Sequence, residues 1–266
     1  MKIVVFGSTG MLGEYVCKFF KTQGYEVLQV SRTLLDLTLP EIEINNFLSY
    51  YVNPEDVIIN AAGLIKQRNV GILDMVKVNI IFPHILSQFK NKTGCNIIHI
   101  STDCVFSGDV GEYYEGNFHD CIDDYGKTKS LGEPQNLTII RTSIIGEEIN
   151  NKISLIEWCK SMKNNNVDGY SNHKWNGVTC LELCKYMHNL IKENHFWMGV
   201  RHMFSDDITK ETLISLISKI FKLNLNITPI IIGEGCDRRL RSKFENKVEK
   251  SHELQLQELK EFNIYE

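Results

Sequence analysis

The first thirty residues do most to limit what this chain can fold into. Lys2-Ile3-Val4-Val5-Phe6 is short, β-branched and apolar, as suits a strand buried on both faces of a parallel sheet. Gly7-Ser8-Thr9-Gly10-Met11-Leu12-Gly13 follows at once. From there Leu12, Tyr15, Val16, Phe19 and Phe20 recur at helical spacing, and Gly24 is placed to end the helix in a left-handed conformation. Glu26 to Val30 reads as a second strand. Strand, glycine turn, helix and strand in this order make a βαβ unit, which crosses over right-handed.

The alternation continues with strands expected at 57–59, 96–100 and 137–140, separated by amphipathic helices near 72–90 and 124–133. This pattern predicts an α/β chain whose residues 1–145 form a Rossmann-type doubly wound parallel sheet. Beyond Ser143 the rhythm changes. A helix near 153–163, a loop from Gly169 to Gly177, helices near 179–193 and 208–221, a strand at 227–232 and a charged helical stretch at 245–266 are expected. Residues 146–266 then form mainly a smaller C-terminal α/β substrate-binding cap, with some helices (about 179–222) packing back on the sheet.

Composition removes several function classes. The 266 residues carry a net charge of -4, and the only dense basic run is Arg238, Arg239, Arg241 and Lys243, so nucleic acid is not an expected partner. The apolar run at the N-terminus is too short for a signal peptide or a membrane span, and a cytoplasmic protein without a membrane partner is expected. The eight cysteines include no CxxC pair, so neither a disulfide scaffold nor a zinc ribbon is indicated. Cys180, Cys184 and His188 share a helical face but extend over two turns, too far to converge on one ion; they read as a buried stripe, and no metal is expected.

The chemistry-bearing segments lie in the first half. GxxGxxG between a strand and a helix permits a tight turn and lets backbone N–H groups approach a pyrophosphate at the positive end of the helix. The alternative is a tight turn with no ligand. About twenty residues on, where an acidic residue would hold a ribose 2′-OH, stands Arg32, which suits a 2′-phosphate and points to NADPH (NADP+), with NADH as the alternative. Tyr125 and Lys129 fall at i and i+4 on one helix face, so a lysine field acts on a phenol, with the expected effect of lowering its pKa toward a useful range. The preceding strand ends in Ser101-Thr102-Asp103, which puts a hydroxyl at the sheet edge where open α/β folds bind ligands.

Taken together, GSTGMLG, NAAG (60–63), STDCVFSG (101–108), YGKTKSLGE (125–133) and RTS (141–143) resemble the extended short-chain dehydrogenase/reductases, most closely the dTDP-4-dehydrorhamnose reductase branch. The resemblance implies NADPH-dependent reduction of the C4 keto group of a nucleotide-diphospho-4-keto-6-deoxyhexose by a triad of Thr102, Tyr125 and Lys129. Tyr125 would donate the proton, Thr102 would bond the same oxygen, and Lys129 would orient the nicotinamide ribose. It also implies Gly7, Thr9, Gly10, Met11 and Leu12 along the pyrophosphate, Asp36 and Leu37 at the adenine, and Ala61, Ala62 and Gly63 at the cofactor's mid-section. Asn79 would lie beneath the site, and Asp103, Cys104 and Ser143 beside the sugar. For Asp36 an exposed loop carboxylate is the alternative.

The chain departs from that branch at the sugar. Cys104 stands where STDYVF has tyrosine, and RTSIIGEE (141–148) replaces RTSWVY, so the pocket must differ. AAGLIKQ, RTSIIGEE, SLIEW and WNGVT resemble instead a subgroup that forms UDP-N-acetyl-L-rhamnosamine. Cys104 also matches a cysteine that GDP-fucose synthase uses in epimerisation, which makes 3-epimerisation before reduction an expectation, against a small apolar filler; His173, in a loop, is the candidate partner. Lys66, Arg238 and Arg239 are candidates for the diphosphate, or a solvated run; Trp158 and Trp175 for the base, or the core. Three rivals stay open: dTDP-4-dehydrorhamnose reductase proper, an epimerase/dehydratase retaining NAD, and a non-catalytic NADP-binding regulatory subunit like that of methionine adenosyltransferase. A homodimer is also left open.

Overall fold

The computed structural model describes residues 1–65 and 70–265. The chain divides into two compact units, one of Met1–Val105, Cys121–Arg141 and Cys184–Val200, the other of Phe106–Asp120, Thr142–Leu183 and Arg201–Glu266. The division differs from a single boundary near 145. Long excursions leave the sheet after two successive strands, at 106 and 142, and a later segment returns to it.

In the first unit β1 (Ile3–Phe6), α1 (Met11–Thr22), β2 (Val27–Val30), α2 (Glu41–Tyr51) and β3 (Val57–Asn60) follow in order. Then α3 (Ile72–Met75) runs through a π-helical turn (Val76–Ile81) into α4 (Phe82–Thr93), followed by β4 (Asn96–Thr102), α5 (Asp124–Leu131) and β5 (Thr138–Thr142). With β10 (Gly199–His202) the strands form a six-stranded sheet in the order β10-β5-β4-β3-β1-β2. β1 pairs parallel with both β2 and β3, and β3 with β4, so Val5 lies opposite Gln29 on one side and Ile59 on the other. The strand order reverses between β1 and β3, and the crevice at such a reversal is where ligands bind in open α/β sheets.

β1, β3 and β5 are buried along their whole length, which fits the apolar run of β1 and the apolar centres of β3 and β5. One face packs Val4, Phe6, Ile58, Ile97 and Ile139 with Ile44 and Leu48 of α2 and Phe82 and Leu86 of α4. The Phe6 and Phe82 rings meet edge to face at 4.9 Å. Sequence reading assigned no element to α2, in which only Ile44, Phe47 and Leu48 are buried.

The second unit has short paired strands. β6 (Ile144–Ile145) pairs with β9 (Val178–Thr179), β7 (Asn166–Tyr170) with β12 (Asn226–Ile230), and β8 (His173–Trp175) lies between β11 (Ile208–Thr209) and β13 (Cys236–Asp237). α6 (Leu155–Ser161), α8 (Lys210–Phe221) and α9 (His252–Phe262) complete it, and α7 (Cys180–Lys192) crosses from this unit into the first. The loop expected over 169–177 thus holds the end of β7 and all of β8, whose partners are far along the chain. His173 is a strand residue, its ring 4.9 Å from that of Tyr170. On α7, Cys180 and Cys184 are fully buried, and the His188 ring lies against Phe19, Phe20 and Tyr25.

Candidate active site

The glycine turn sits at the reversal in strand order. Gly7 adopts a φ of +75° and its N–H bonds the Val30 carbonyl at 3.1 Å. A methyl there would stand 2.7 Å from the Ala62 backbone, and one at Gly13 would run into the Gly7 carbonyl, so the turn closes only without side chains. At Gly10 the nearest atom to an added methyl is the Gly7 carbonyl oxygen, at 3.3 Å. Gly10 is also the N-cap of α1 and supplies no side-chain bond, which leaves the first-turn amides of Met11 and Leu12 uncapped by it. With no side chain at Gly7, Gly10 or Gly13 and at a helix N-terminus, the cradle from Gly7 through Thr9 to Leu12 fits a dinucleotide pyrophosphate.

Ala61, Ala62 and Gly63 leave β3 beside this cradle. Ala61 N–H donates to the Phe6 carbonyl at 3.1 Å and Ala62 N–H to Asn60 Oδ1 at 3.1 Å, while Asn60 Nδ2 meets Nδ1 of the buried His99 at 2.9 Å. Asn79, in the π-helical turn, accepts from Leu64 N–H at 2.9 Å and donates to the Leu64 carbonyl and to Thr128 Oγ1, both at 3.0 Å. It therefore ties the loop after β3 to α5. The extra residue of a π turn is a recurring way to place such a group.

Arg32 follows β2 with its side chain 73% exposed, and its Nε donates to Asp36 Oδ2 at 3.0 Å. Asp36 also accepts from Thr38 N–H at 2.9 Å and from the Thr38 hydroxyl at 2.8 Å. The Thr38 backbone bond foremost, then the Thr38 hydroxyl and Arg32, outweigh the burial and hold this carboxyl below its ordinary range. Leu37 packs against the core beside them.

The end of β4 faces α5. Thr102 Oγ1 accepts from Cys104 N–H at 3.1 Å and its hydroxyl donates to Asp103 Oδ1 at 3.2 Å, close enough to Tyr125 to draw the phenol's pKa down. Lys129, one turn beyond Tyr125, is buried and its Nζ donates to the Ile100 carbonyl at 2.8 Å. Asp123 caps α5, accepting from Gly126 N–H at 2.8 Å. Gly126 is required by packing, since a methyl there would enter the Cys104 carbonyl. Thr102, Tyr125 and Lys129 are thus held together by one strand and one helix.

The electrostatics differ from the expectation. Burial, followed by Cys104, pushes the Tyr125 phenol up, against the Thr102 bond, which draws it down; burial pulls Lys129 down to about 8 against the attraction of Glu133. Tyr125 is therefore a neutral phenol at pH 7, suited to giving a proton. Asp103 is buried, and Oδ1 receives the thiol of Cys104 at 3.6 Å.

The remaining described candidates lie in the second unit. Trp175 Nε1 donates to Ser143 Oγ at 2.8 Å, so β8 brings these two together, and the indole stands 5.2 Å from the His252 ring. Arg238 Nε donates to the Phe106 carbonyl at 3.0 Å. Arg239 is gripped by Asp237 through Nε and Nη2, at 2.8 and 2.7 Å, and by Asp207 through Nη1 at 2.6 Å. That guanidinium serves an ion-pair network rather than standing ready for a phosphate. Trp158 is 39% exposed, and Lys66 lies outside the described residues.

Several working residues carried no role in the sequence reading. Asn60 and His99 support the loop after β3, and Ser101, Glu133 and Arg141 form a buried cluster beneath Lys129. Their motifs were visible, but their mutual contacts depend on strand register.

Residues 1–164 match the family described as RmlD substrate binding domain. Among curated proteins, the chain is 32% identical over 148 residues to a dTDP-4-dehydrorhamnose reductase of Aggregatibacter actinomycetemcomitans, covering 54% of this chain and 49% of that protein. It is 30% identical over 151 residues to the spore coat polysaccharide biosynthesis protein SpsK of Bacillus subtilis, covering 53% and 52%. The matched stretch thus spans about half the length of these relatives. Among solved structures, the dTDP-4-dehydrorhamnose reductase of Bacillus anthracis in complex with NADP superimposes with a TM-score of 0.80 at 18% identity, over 98% of this chain and 99% of that one, a likeness of fold.

Proposed function

The chain belongs to the RmlD substrate binding domain family, and from that premise we propose that it reduces the C4 keto group of a nucleotide-linked 4-keto-6-deoxyhexose with NADPH. The observation that carries this reading is the convergence of Thr102, Tyr125 and Lys129 in the same unit as the cradle that Gly7, Gly10 and Gly13 keep open. Bound in that cradle, NADPH supplies the hydride. Relatives that are dTDP-4-dehydrorhamnose reductases, and the NADP in one similar structure, support the choice of reaction and cofactor.

In this account the neutral phenol of Tyr125 gives its proton to the oxygen that gains charge, and Thr102 donates a hydrogen bond to the same oxygen. Lys129 holds a nicotinamide ribose hydroxyl and offsets negative charge as Tyr125 ionises. Arg32 meets the 2′-phosphate, exchanging Asp36 for it. Ser143 and Trp175 contact the sugar nucleotide. No described helix is long and apolar enough to cross a membrane, and we place the reaction in the cytoplasm.

A finer reading rests on the resemblance of AAGLIKQ (61–67), RTSIIGEE (141–148), SLIEW (154–158) and WNGVT (175–179) to a subgroup that forms UDP-N-acetyl-L-rhamnosamine, with Cys104 and Ile144 altering the pocket: the substrate is a UDP-linked 2-acetamido sugar, and the product UDP-N-acetyl-L-rhamnosamine. Epimerisation at C3 would need Cys104 to remove and return a proton. Its thiol donates to Asp103, a contact that favours the neutral thiol, so reduction alone is the primary reading. In deuterated buffer, label at C3 of the product that disappears in Cys104→Ser would instead establish epimerisation. The direct assay is loss of NADPH absorbance with 4-keto sugars made from UDP-N-acetylglucosamine and from dTDP-glucose. Turnover with the first, lost in Tyr125→Phe, is expected; turnover with neither, by protein that binds NADPH, would refute the reading.

A further inference from the structure

Beneath Lys129 lies a fully enclosed ionic cluster that the proposed chemistry does not use. Glu133, one turn past Lys129, accepts from Ser101 Oγ at 2.5 Å and is gripped in a fork by Arg141, Nε to Oε1 at 3.1 Å and Nη2 to Oε2 at 2.5 Å. The Arg141 and Glu133 side chains are 1% and 3% exposed. Along β4 the Ile100 carbonyl accepts from Lys129 Nζ, and the next residue's hydroxyl, that of Ser101, donates to Glu133. The two bonds form adjacent rungs, and the Glu133 rung is the one anchored through Arg141 in β5.

We propose that Glu133 and Arg141 are positioning residues for the reduction: their buried pair sets the register of α5 against β4 and keeps the Lys129 ammonium charged. The proposal rests on the reading of the previous subsection. Charges facing Lys129 come from every side. Tyr125 on α5 is a neutral phenol; His99 on β4 is held neutral by its burial; Asp103 closes β4; Arg141 on β5 is matched by Glu133. Glu133 is the group that favours the charged lysine, against burial, which opposes it. A buried pair broken on one side is strongly destabilising, whereas exchanging both partners for uncharged residues is often tolerated, so the pair can be deleted as a unit.

The test is the pH profile of kcat/KM for the intact chain. Glu133→Gln combined with Arg141→Met removes both charges. It should fold, bind NADPH at acidic pH, and lose activity at a pH at least about one unit lower than wild type, a loss of about fivefold relative to wild type at the wild-type midpoint. Glu133→Asp keeps the charge and should keep the wild-type alkaline limb with a lower kcat. A folded double variant whose limb coincides with that of the wild type overturns the proposal and leaves the pair a structural clasp. Should the double variant not fold, Ser101→Ala decides, since it removes one bond to Glu133 and no charge: a fall in kcat with NADPH affinity unchanged supports the proposal, and a kcat equal to that of the wild type overturns it. Wild type that turns over no 4-keto sugar nucleotide overturns the functional reading and this inference together; turnover with an unmoved limb overturns this inference alone.

Discussion

At the scale of single residues, the proposed chemistry depends on a phenol that stays protonated and an ammonium close to losing its proton. Tyr125→Phe removes the proton donor and should lower kcat by about 10²–10⁴ with NADPH affinity unchanged, as read by fluorescence titration. Lys129 has a pKa lowered to about 8, so it is charged below that pH and neutral above it, and activity should fall as pH rises through that value. Arg32→Ala should reduce the preference for NADPH over NADH in kcat/KM; equal use of the two cofactors by wild type would refute the role of Arg32. The spacing of Tyr125 and Lys129 was legible because i and i+4 define a helix face. The direction of the Tyr125 shift was not, because burial against β4 sets it and sequence spacing does not report burial. The Ser101–Glu133–Arg141 cluster was hidden for a related reason, since its members meet only when β4, β5 and the end of α5 are in register.

At the scale of elements, local signals were reliable where the chain uses neighbouring segments. β1, the glycine turn and α1 appear within a residue or two of their expected places because an apolar run, three glycines and a helical period specify them locally. β7 and β8 were missed because each is a strand only by virtue of distant partners, β12 for one and β11 and β13 for the other. α2 was missed because its apolar face is narrow. Gly13→Ala tests the closeness of α1 to the turn: the methyl meets the Gly7 carbonyl and should cost about 1–3 kcal/mol, seen as a lower Tm together with weaker NADPH binding. Asp56 tests the closure of β1 on the loop before β3. It accepts from Lys2 N–H at 2.8 Å and Asn53 N–H at 2.9 Å, and though burial alone would raise it, these bonds hold its carboxyl below the ordinary range. A depressed carboxyl stabilises the fold above its unfolded pKa of about 3.9 and loses that contribution as pH falls through the folded value. Asp56→Asn should therefore lower stability to urea at pH 7, with the difference shrinking in acid.

At the scale of the whole molecule, the acidic balance is compatible with binding polyanions because the expected contacts are local. A backbone cradle at a helix N-terminus and Arg32 at the end of β2 are available to a dinucleotide despite a net charge of -4. The segments expected to hold a dinucleotide were legible as structure because a glycine turn and one helix face are specified by local pattern. The sugar half was not, because Arg239 spends its donors on Asp237 and Asp207, a pairing no local pattern announces. The central claim is tested most directly by supplying NADPH deuterated at the transferable position together with the 4-keto intermediate of UDP-N-acetylglucosamine or dTDP-glucose, then reading the product by NMR. One deuterium at C4 of the sugar, absent with Tyr125→Phe, is predicted; recovery of both 4-keto sugars unchanged from a protein that binds NADPH would contradict it.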